Sequence, residues 1–385
     1  MIYLDNAAST KIHELVLEEM LPYLKEQYGN PSSIHRYGRD AGKAVKKARK
    51  QIANLINADP SEILFTSGGT ESNNMVLFGI TKKNPKSRII TSSIEHDAIL
   101  EPCKILAKEG FDIIHLPVNN YGLVDPLILK NSVTENTLLV SIMFGNNEVG
   151  TIQPIFDFAK ICKEKNIIFH TDAVQAVGKI PINVKELGID LLSISSHKIN
   201  GPKGIGALYI RNGISIDPII LGGGQENGLR SGTENVANIV GFGKACELAS
   251  INLLDNSTKM KELRDYLSTK IIQEIPEVTL NGHPEERLPN NVHLTFLGVN
   301  GEDLLIKLDE FGIAASTGSA CSVQIQKASH VLQAMGFSHE QITGSLRLTI
   351  GTSNNLEEMD KTVEILKNVV KELRAFSPFK EKYSF

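Results

Sequence analysis

Hydrophobic and polar positions along the chain follow two alternating periods. From about residue 15 to 255, stretches with apolar residues three and four apart alternate with short β-branched runs. The helical period predicts one amphipathic helix from near Arg36 to Asn57 and another over Thr70–Lys82. The β-branched runs Glu62–Thr66, Arg88–Ser92, Asp112–Leu116, Leu138–Met143, Ile167–Thr171, Asp190–Ile194 and Ile205–Ile210 predict buried strands. Strands separated by helices imply βαβ crossovers, and hence an α/β fold with a mainly parallel sheet. Asp217–Thr233 is Gly-rich and irregular, as a functional loop would be. A long helix is expected from Val236 to about Glu274, leading into a region with fewer strands, at Val278–Leu280, Asn291–Phe296 and Leu346–Ile350. The chain then ends in a helix over Leu356–Ala375. This pattern predicts a large domain, 15–254, and a smaller α+β domain made of 1–14 and 255–385.

Composition narrows the function classes. The 385 residues are 41% hydrophobic and 22% charged, the balance of a folded globular chain. A chain of this length buries roughly three-quarters of its unfolded surface, so it needs no disulfide or metal staple. Its net charge, 40 − 44 = −4, and dispersed basic residues give no pull toward nucleic acid. The strongest apolar run, Leu138–Phe144, is too short to span a bilayer, and the N-terminus lacks a signal core. Cys103, Cys162, Cys246 and Cys321 form no Cys-x-x-Cys pair, so no metal site is expected from them. A cytoplasmic, reducing location is the expectation.

Candidate chemistry gathers at predicted strand ends. In Ser193-Ile-Ser-Ser-His-Lys-Ile-Asn-Gly-Pro-Lys-Gly, Lys198 directly follows a buried strand. Partial burial there favours its unprotonated, nucleophilic amine, although an arbitrary lysine in a turn is simply solvated. Asp172 ends the strand before it, beyond whose carboxyl edge ligands bind in open α/β sheets. Alone it reads as a helix N-cap; beside Lys198 it forms the pairing that pyridoxal phosphate requires. Thr66-Ser-Gly-Gly-Thr-Glu-Ser-Asn-Asn leaves a strand and opens a helix, which suits a phosphate, or equally an ordinary Gly-rich turn. His96 follows another strand end and could stack on a planar ring. Cys321 sits in Ser316-Thr-Gly-Ser-Ala-Cys-Ser among small residues, unlike a structural cysteine on an apolar face, and suits a travelling nucleophile. The other three cysteines fall in partly apolar helical patterns and read as structural.

Together these motifs resemble the cysteine desulfurases of the NifS/IscS type, class V aminotransferases among the fold type I pyridoxal phosphate enzymes. The resemblance runs from Tyr3-Leu-Asp-Asn-Ala-Ala through Glu95-His, Asn146-Asn-Glu-Val-Gly, Thr171-Asp-Ala-Val-Gln and Ser196-His-Lys to Gly318-Ser-Ala-Cys and Leu346-Arg-Leu. It implies a type I transferase fold and pyridoxal 5'-phosphate carried covalently by Lys198. Asp172 would pair with the ring nitrogen, His96 would stack and move protons, and Gln175 would bond the phenolic oxygen. Gly69, Thr70, Ser195 and His197 would hold the phosphate, joined by Thr233 of the partner subunit in a homodimer. Asn147 would contact cofactor and substrate, and Arg347 would grip the α-carboxylate of L-cysteine. Cys321 would take the sulfur as a persulfide, leaving L-alanine, for iron–sulfur cluster or other sulfur-compound biosynthesis. Arg347 lies 347 − 321 = 26 residues after Cys321, as in relatives that pass sulfur directly to acceptor proteins such as an iron–sulfur scaffold or a tRNA-thiolation enzyme. Gln326–Ser329 and Asn227 depart from the usual pattern, at positions that bear on the acceptor more than on the reaction. A selenocysteine lyase, another β-lyase or aminotransferase on this scaffold, and a non-catalytic sulfur-assembly partner are the alternatives.

Overall fold

The computed structural model describes residues 1–318 and 328–376. Its strands in chain order are β1 (Ile2–Tyr3), β2 (Ile63–Thr66), β3 (Arg88–Ser92), β4 (Asp112–Leu116), β5 (Thr137–Ser141) and β6 (Ile168–Asp172), followed by β7 (Leu191–Ser195), β8 (Gly206–Ile210), β9 (Val278–Leu280), β10 (Asn291–Phe296), β11 (Ile313–Ala314) and β12 (Ser345–Thr349). The helices are α1 (Glu14–Lys25), α2 (Arg36–Leu55), α3 (Gly69–Thr81), α4 (Asp97–Lys108), α5 (Pro126–Ser132), α6 (Ile155–Glu164) and α7 (Val184–Leu187). After them come α8 (Val236–Ile251), α9 (Leu253–Glu274), α10 (Gly301–Glu310), α11 (His330–Ala334), α12 (His339–Thr343) and α13 (Leu356–Ala375).

Seven strands form one sheet in the order β2-β8-β7-β6-β5-β3-β4. It is parallel except at β8, which runs antiparallel to both β2 and β7. Because successive strand residues face opposite sides, this sheet feeds two hydrophobic clusters. Ile63, Phe65, Ile90, Val140, Phe169 and Leu192 pack with α2, α6 and α8 on one face. Their neighbours Leu64, Ile89, Leu139, Leu191 and Leu208 pack with α3 and α4 on the other. Cover on both faces is why these strands read as continuous apolar runs rather than alternating ones.

A third cluster belongs to the antiparallel sheet β12-β10-β9. Val292, Leu294, Phe296, Leu346 and Leu348 meet apolar residues of α9, α10 and α13. The alternate positions His293 and Arg347 are opposite one another in register and lie on the other face. Ile2 and Leu4 join this cluster, and β1 pairs with β11. The expected single helix from Val236 to Glu274 is two helices. At Asn252 the side-chain amide turns back to the Leu248 carbonyl at 2.9 Å and the chain bends. The local competition of an Asn side chain with the helix ladder explains the break.

Candidate active site

The site is assembled from the carboxyl ends of the large sheet, and each motif uses a different local device. After β2, Gly68 adopts φ +154° and α3 begins at once. A Cβ on Gly69 would lie 2.7 Å from Val174 Cγ2, so any other residue here would have to displace the Val174 side chain from the turn after β6. The free N–H groups at the start of α3 favour an anion. Glu71 accepts from Ser67 N at 2.7 Å and from Arg230 Nε at 2.9 Å, tying the 217–233 loop to this helix start. Burial opposes its charge, but Arg230 and Ser67 together hold its carboxyl below the usual range.

At the end of β6 the Asp172 carboxylate accepts from Asn73 Nδ2 at 2.7 Å and from Val174 N at 3.0 Å. The turn after β6 brings Gln175 under the N-terminal segment, where its amide donates to the Ala7 carbonyl at 3.0 Å. A short turn of helix after β7 carries His197 and Lys198. Lys198 Nζ donates to the carbonyls of Ala7 and Ala8 at 2.6 and 2.7 Å. Burial and then the nearby Lys198, Lys203 and Lys179 charges push His197 down to about 4, so it works as a neutral imidazole.

His96 caps α4, with Nδ1 accepting from Ala98 N at 3.0 Å. A neutral ring in that bond carries its proton on Nε2. The preceding Glu95 is buried and accepts from Ser92 Oγ and from Met143 N. Burial pushes its carboxyl up to about 8.

Arg347 enters from the small sheet. Its guanidinium is 2% exposed, with Nη1 donating to the Asn147 carbonyl at 2.9 Å and Nη2 paired with Asp5 at 3.0 Å. Among the described residues its buried Nε has no partner. An orphaned buried donor on a charged group is costly unless a ligand accepts from it, and a carboxylate matches that fork.

A cavity of about 270 Å3 joins these parts, lined by Gly69, Thr70, His96, Asn147 and Asp172. Gln175, Ser195, His197, Lys198 and Arg347 line it too, and all ten residues were expected from the sequence. Thr233 is exposed and does not line this cavity. Cys321 lies outside the described residues, as do Gln326 and the tail from Ser377. Residues the motifs did not single out by role also meet here: Asn73 on Asp172, Asp5 on Arg347, Ala7 and Ala8 as acceptors for Lys198, and His330, whose Nε2 donates to the Glu95 carbonyl at 2.9 Å. The Tyr3-Leu-Asp-Asn-Ala-Ala motif held the signal for Asp5, Ala7 and Ala8, without showing that backbone carbonyls would do the binding.

Residues 2–362 match the family described as aminotransferase class-V. The chain belongs to the class-V aminotransferase family. Within it the chain groups with the cysteine desulfurases. It is 50% identical over 384 residues to the cysteine desulfurase IscS of Dictyoglomus turgidum, spanning 99% of this chain and 98% of that protein. The IscS of Methanosarcina thermophila is also 50% identical, over 99% of this chain and 95% of its own length. Among solved structures, a NifS-like protein superposes with a TM-score of 0.91 at 40% identity, covering 96% of this chain and 99% of the other. One described as SspA in complex with cysteine gives a TM-score of 0.82 at 36% identity, covering 92% and 100%.

Membership makes the chain a pyridoxal-phosphate-dependent enzyme with a type I transferase fold. The donor set fits that cofactor: a lysine amine, a carboxylate at a strand end and a glycine cradle that a Cβ would fill share one cavity. Cys103, Cys162 and Cys246 are buried free thiols. Burial pushes Cys103 and Cys162 up to about 12 and Cys246 well above the ordinary thiol value, which keeps them protonated and inert.

Proposed function

We propose that this cavity converts L-cysteine to L-alanine and delivers the sulfur to Cys321 as a persulfide. The observation that carries the substrate side is Arg347: a buried guanidinium with an unpartnered Nε, opening on the same cavity as Lys198 and Asp172. Bound pyridoxal phosphate supplies the electron sink that loosens the substrate's C–S bond. Lys198 holds the cofactor and moves protons at the substrate carbon. Asp172, fixed by Asn73, keeps the ring nitrogen protonated, and Gln175 bonds the phenolic oxygen. His96, its Nδ1 held by Ala98 N, would lie against the ring and offer its Nε2 proton. Gly69, Thr70, Ser195 and neutral His197 receive the phosphate, and Asn147 and Arg347 orient the amino acid.

Cys321 then attacks the substrate sulfur as a thiolate. The S–S bond forms as the C–S bond breaks, and the electron pair left on the three-carbon fragment takes up a proton to give alanine. With the other three thiols buried and protonated, Cys321 is the one left for this role. Thr233, exposed and away from its own cavity, fits a reach into the neighbouring site of a homodimer. The cluster around the small sheet, drawn from Ile2, Leu4 and residues 260–370, supports a second domain of 1–14 and 255–385 beside a cofactor domain over 15–254, although Leu288 joins the large-sheet cluster and Val331 and Leu332 pack with Ile94 and Met143. No helix among the described residues is long and apolar enough to cross a membrane, and free buried thiols accord with a cytoplasmic location. The 26-residue spacing from Cys321 to Arg347 suits direct transfer to an iron–sulfur scaffold or a tRNA-thiolation enzyme.

The test is Cys321→Ala. Alanine formation and persulfide should both vanish while the cofactor's absorbance stays unchanged. Alanine released at the unmutated rate would refute the role of Cys321.

A further inference from the structure

Two ion pairs of opposite polarity fasten the 217–233 loop to the body of the molecule. In the first, the loop supplies the acid. Arg49 of α2 donates to the Glu226 carboxylate through Nη1 at 2.9 Å and Nη2 at 2.5 Å, and Phe65 N of the edge strand β2 donates to it at 2.9 Å. Glu226 and Asn227 hold left-handed backbone conformations, φ +49° and +56°, which persist at residues other than glycine only where their surroundings impose them. In the second pair the loop supplies the base. Arg230 donates to Glu71 through Nε to Oε1 at 2.9 Å and through Nη2 to Oε2 at 3.3 Å, and the two side chains are only 25% and 10% exposed. Glu71 lies in the first turn of α3, and its Oε2 also accepts from Ser67 N at 2.7 Å, so its carboxylate closes the turn 67–70. That turn lies against Ser195: Cβ positions on Gly68 and Gly69 would be 4.0 Å from its Oγ and 3.9 Å from its Cβ.

A carboxylate closing this turn serves two opposed ends. It satisfies the Ser67 N–H and suits the positive end of the helix dipole, but its charge repels a phosphate received by the same turn. Glu71 stays ionised all the same: burial opposes its charge, and Arg230 and Ser67 together hold its carboxyl below the ordinary range. A glutamine would accept from Ser67 N without any charge, so that hydrogen bond alone does not explain the pair. We infer that Arg230 is a positioning residue for the cofactor phosphate. Brought in by the clamped loop, its guanidinium cancels the Glu71 charge beside the turn 67–70 and lets that turn accept an anion. The inference rests on the reading of the α3 start as the phosphate site.

The test is a titration of the full-length chain, freed of cofactor, with pyridoxal 5'-phosphate and with pyridoxal, which has the same ring and no phosphate. Binding is followed by absorbance. Arg230→Ala should weaken binding of the phosphate compound roughly tenfold and leave that of pyridoxal unchanged. Adding Glu71→Gln to Arg230→Ala should restore the affinity for the phosphate compound. Glu71→Gln alone keeps the acceptor for Ser67 N and should bind the phosphate compound about threefold more tightly, which gives the answer if Arg230→Ala does not fold. Equal weakening of both compounds in Arg230→Ala, or no recovery in the double variant, would show the pair to be a fastening only and overturns the inference. So does an unchanged affinity for the phosphate compound in Glu71→Gln. Thr70→Val checks the underlying reading separately, because with the phosphate at this turn it weakens the phosphate compound and spares pyridoxal. Absence of that selectivity would refute the reading whatever the Arg230 variants do.

Discussion

The large sheet and the small sheet contribute to one cavity in opposite ways. On the large-sheet side, the functional groups have protein partners. Asp172 accepts from Asn73 and Val174, Lys198 donates to two carbonyls, and His96 is held by Ala98 N. On the small-sheet side, Arg347 has partners for its two terminal nitrogens and, among the described residues, none for Nε. On the proposed roles, the groups that would serve a resident cofactor are locked in place in advance. The group that would serve a passing substrate keeps one buried donor unpaired among the described residues. The first arrangement gives preorganisation; the second gives a binding increment that appears only when a carboxylate arrives.

Substitutions can break this contrast. If Lys198 carries the cofactor as proposed, Lys198→Ala removes that tie and turnover should fall by roughly 10^3-fold or more, measured as alanine formed per minute. Arg347→Ala should lower kcat/KM for cysteine roughly 10^2-fold, corresponding to about 3 kcal/mol for a lost charged contact. In that variant the cofactor's absorbance should be unchanged. If Arg347→Ala instead lost the cofactor, the separation of the two sides would fail. Asp5→Asn keeps the shape of the Arg347 partner and removes its charge. It should raise KM about threefold to tenfold with little effect on kcat, as expected for a group that only aims the guanidinium.

The smallest effect on turnover concerns Glu95 and appears as a pH slope in stability. Its folded-state value is raised from an ordinary 4.5 to about 8 by burial. The native state therefore holds a proton that the unfolded chain has released. The stability this provides is complete below about 4.5 and is lost as pH rises through about 8. Urea unfolding of the unmutated chain should weaken across that window, and Glu95→Gln should flatten the slope. A Glu95→Gln slope equal to that of the unmutated chain would contradict the assignment.

The resident side was the more legible in the sequence. Lys198, Asp172, Gly69 and His96 each sit next to a strand end, and strand ends are visible as β-branched runs that stop. Arg347 was legible only through its family context, because β12 reads as an ordinary buried strand and the face it presents depends on its register with β10. The acceptors for Lys198 left no side-chain signal at all, since Ala7 and Ala8 bind through backbone carbonyls 191 and 190 residues away in sequence. Asn252 hid the break between α8 and α9 because a single Asn is tolerated in many helices. Lys179 follows Gly178 in the sequence with no further signal, and only the fold shows it to be buried. Local chemistry was readable wherever it coincided with an element boundary; contacts between segments far apart in the chain were not.

The most direct test of the account is to incubate the loaded enzyme with 34S-labelled L-cysteine and measure intact and peptide masses without reductant. The account predicts one labelled sulfur atom on the peptide containing Cys321, with an equimolar amount of alanine released. Alanine formed with no sulfur retained on Cys321, or sulfur retained on Cys103, Cys162 or Cys246 instead, would contradict it.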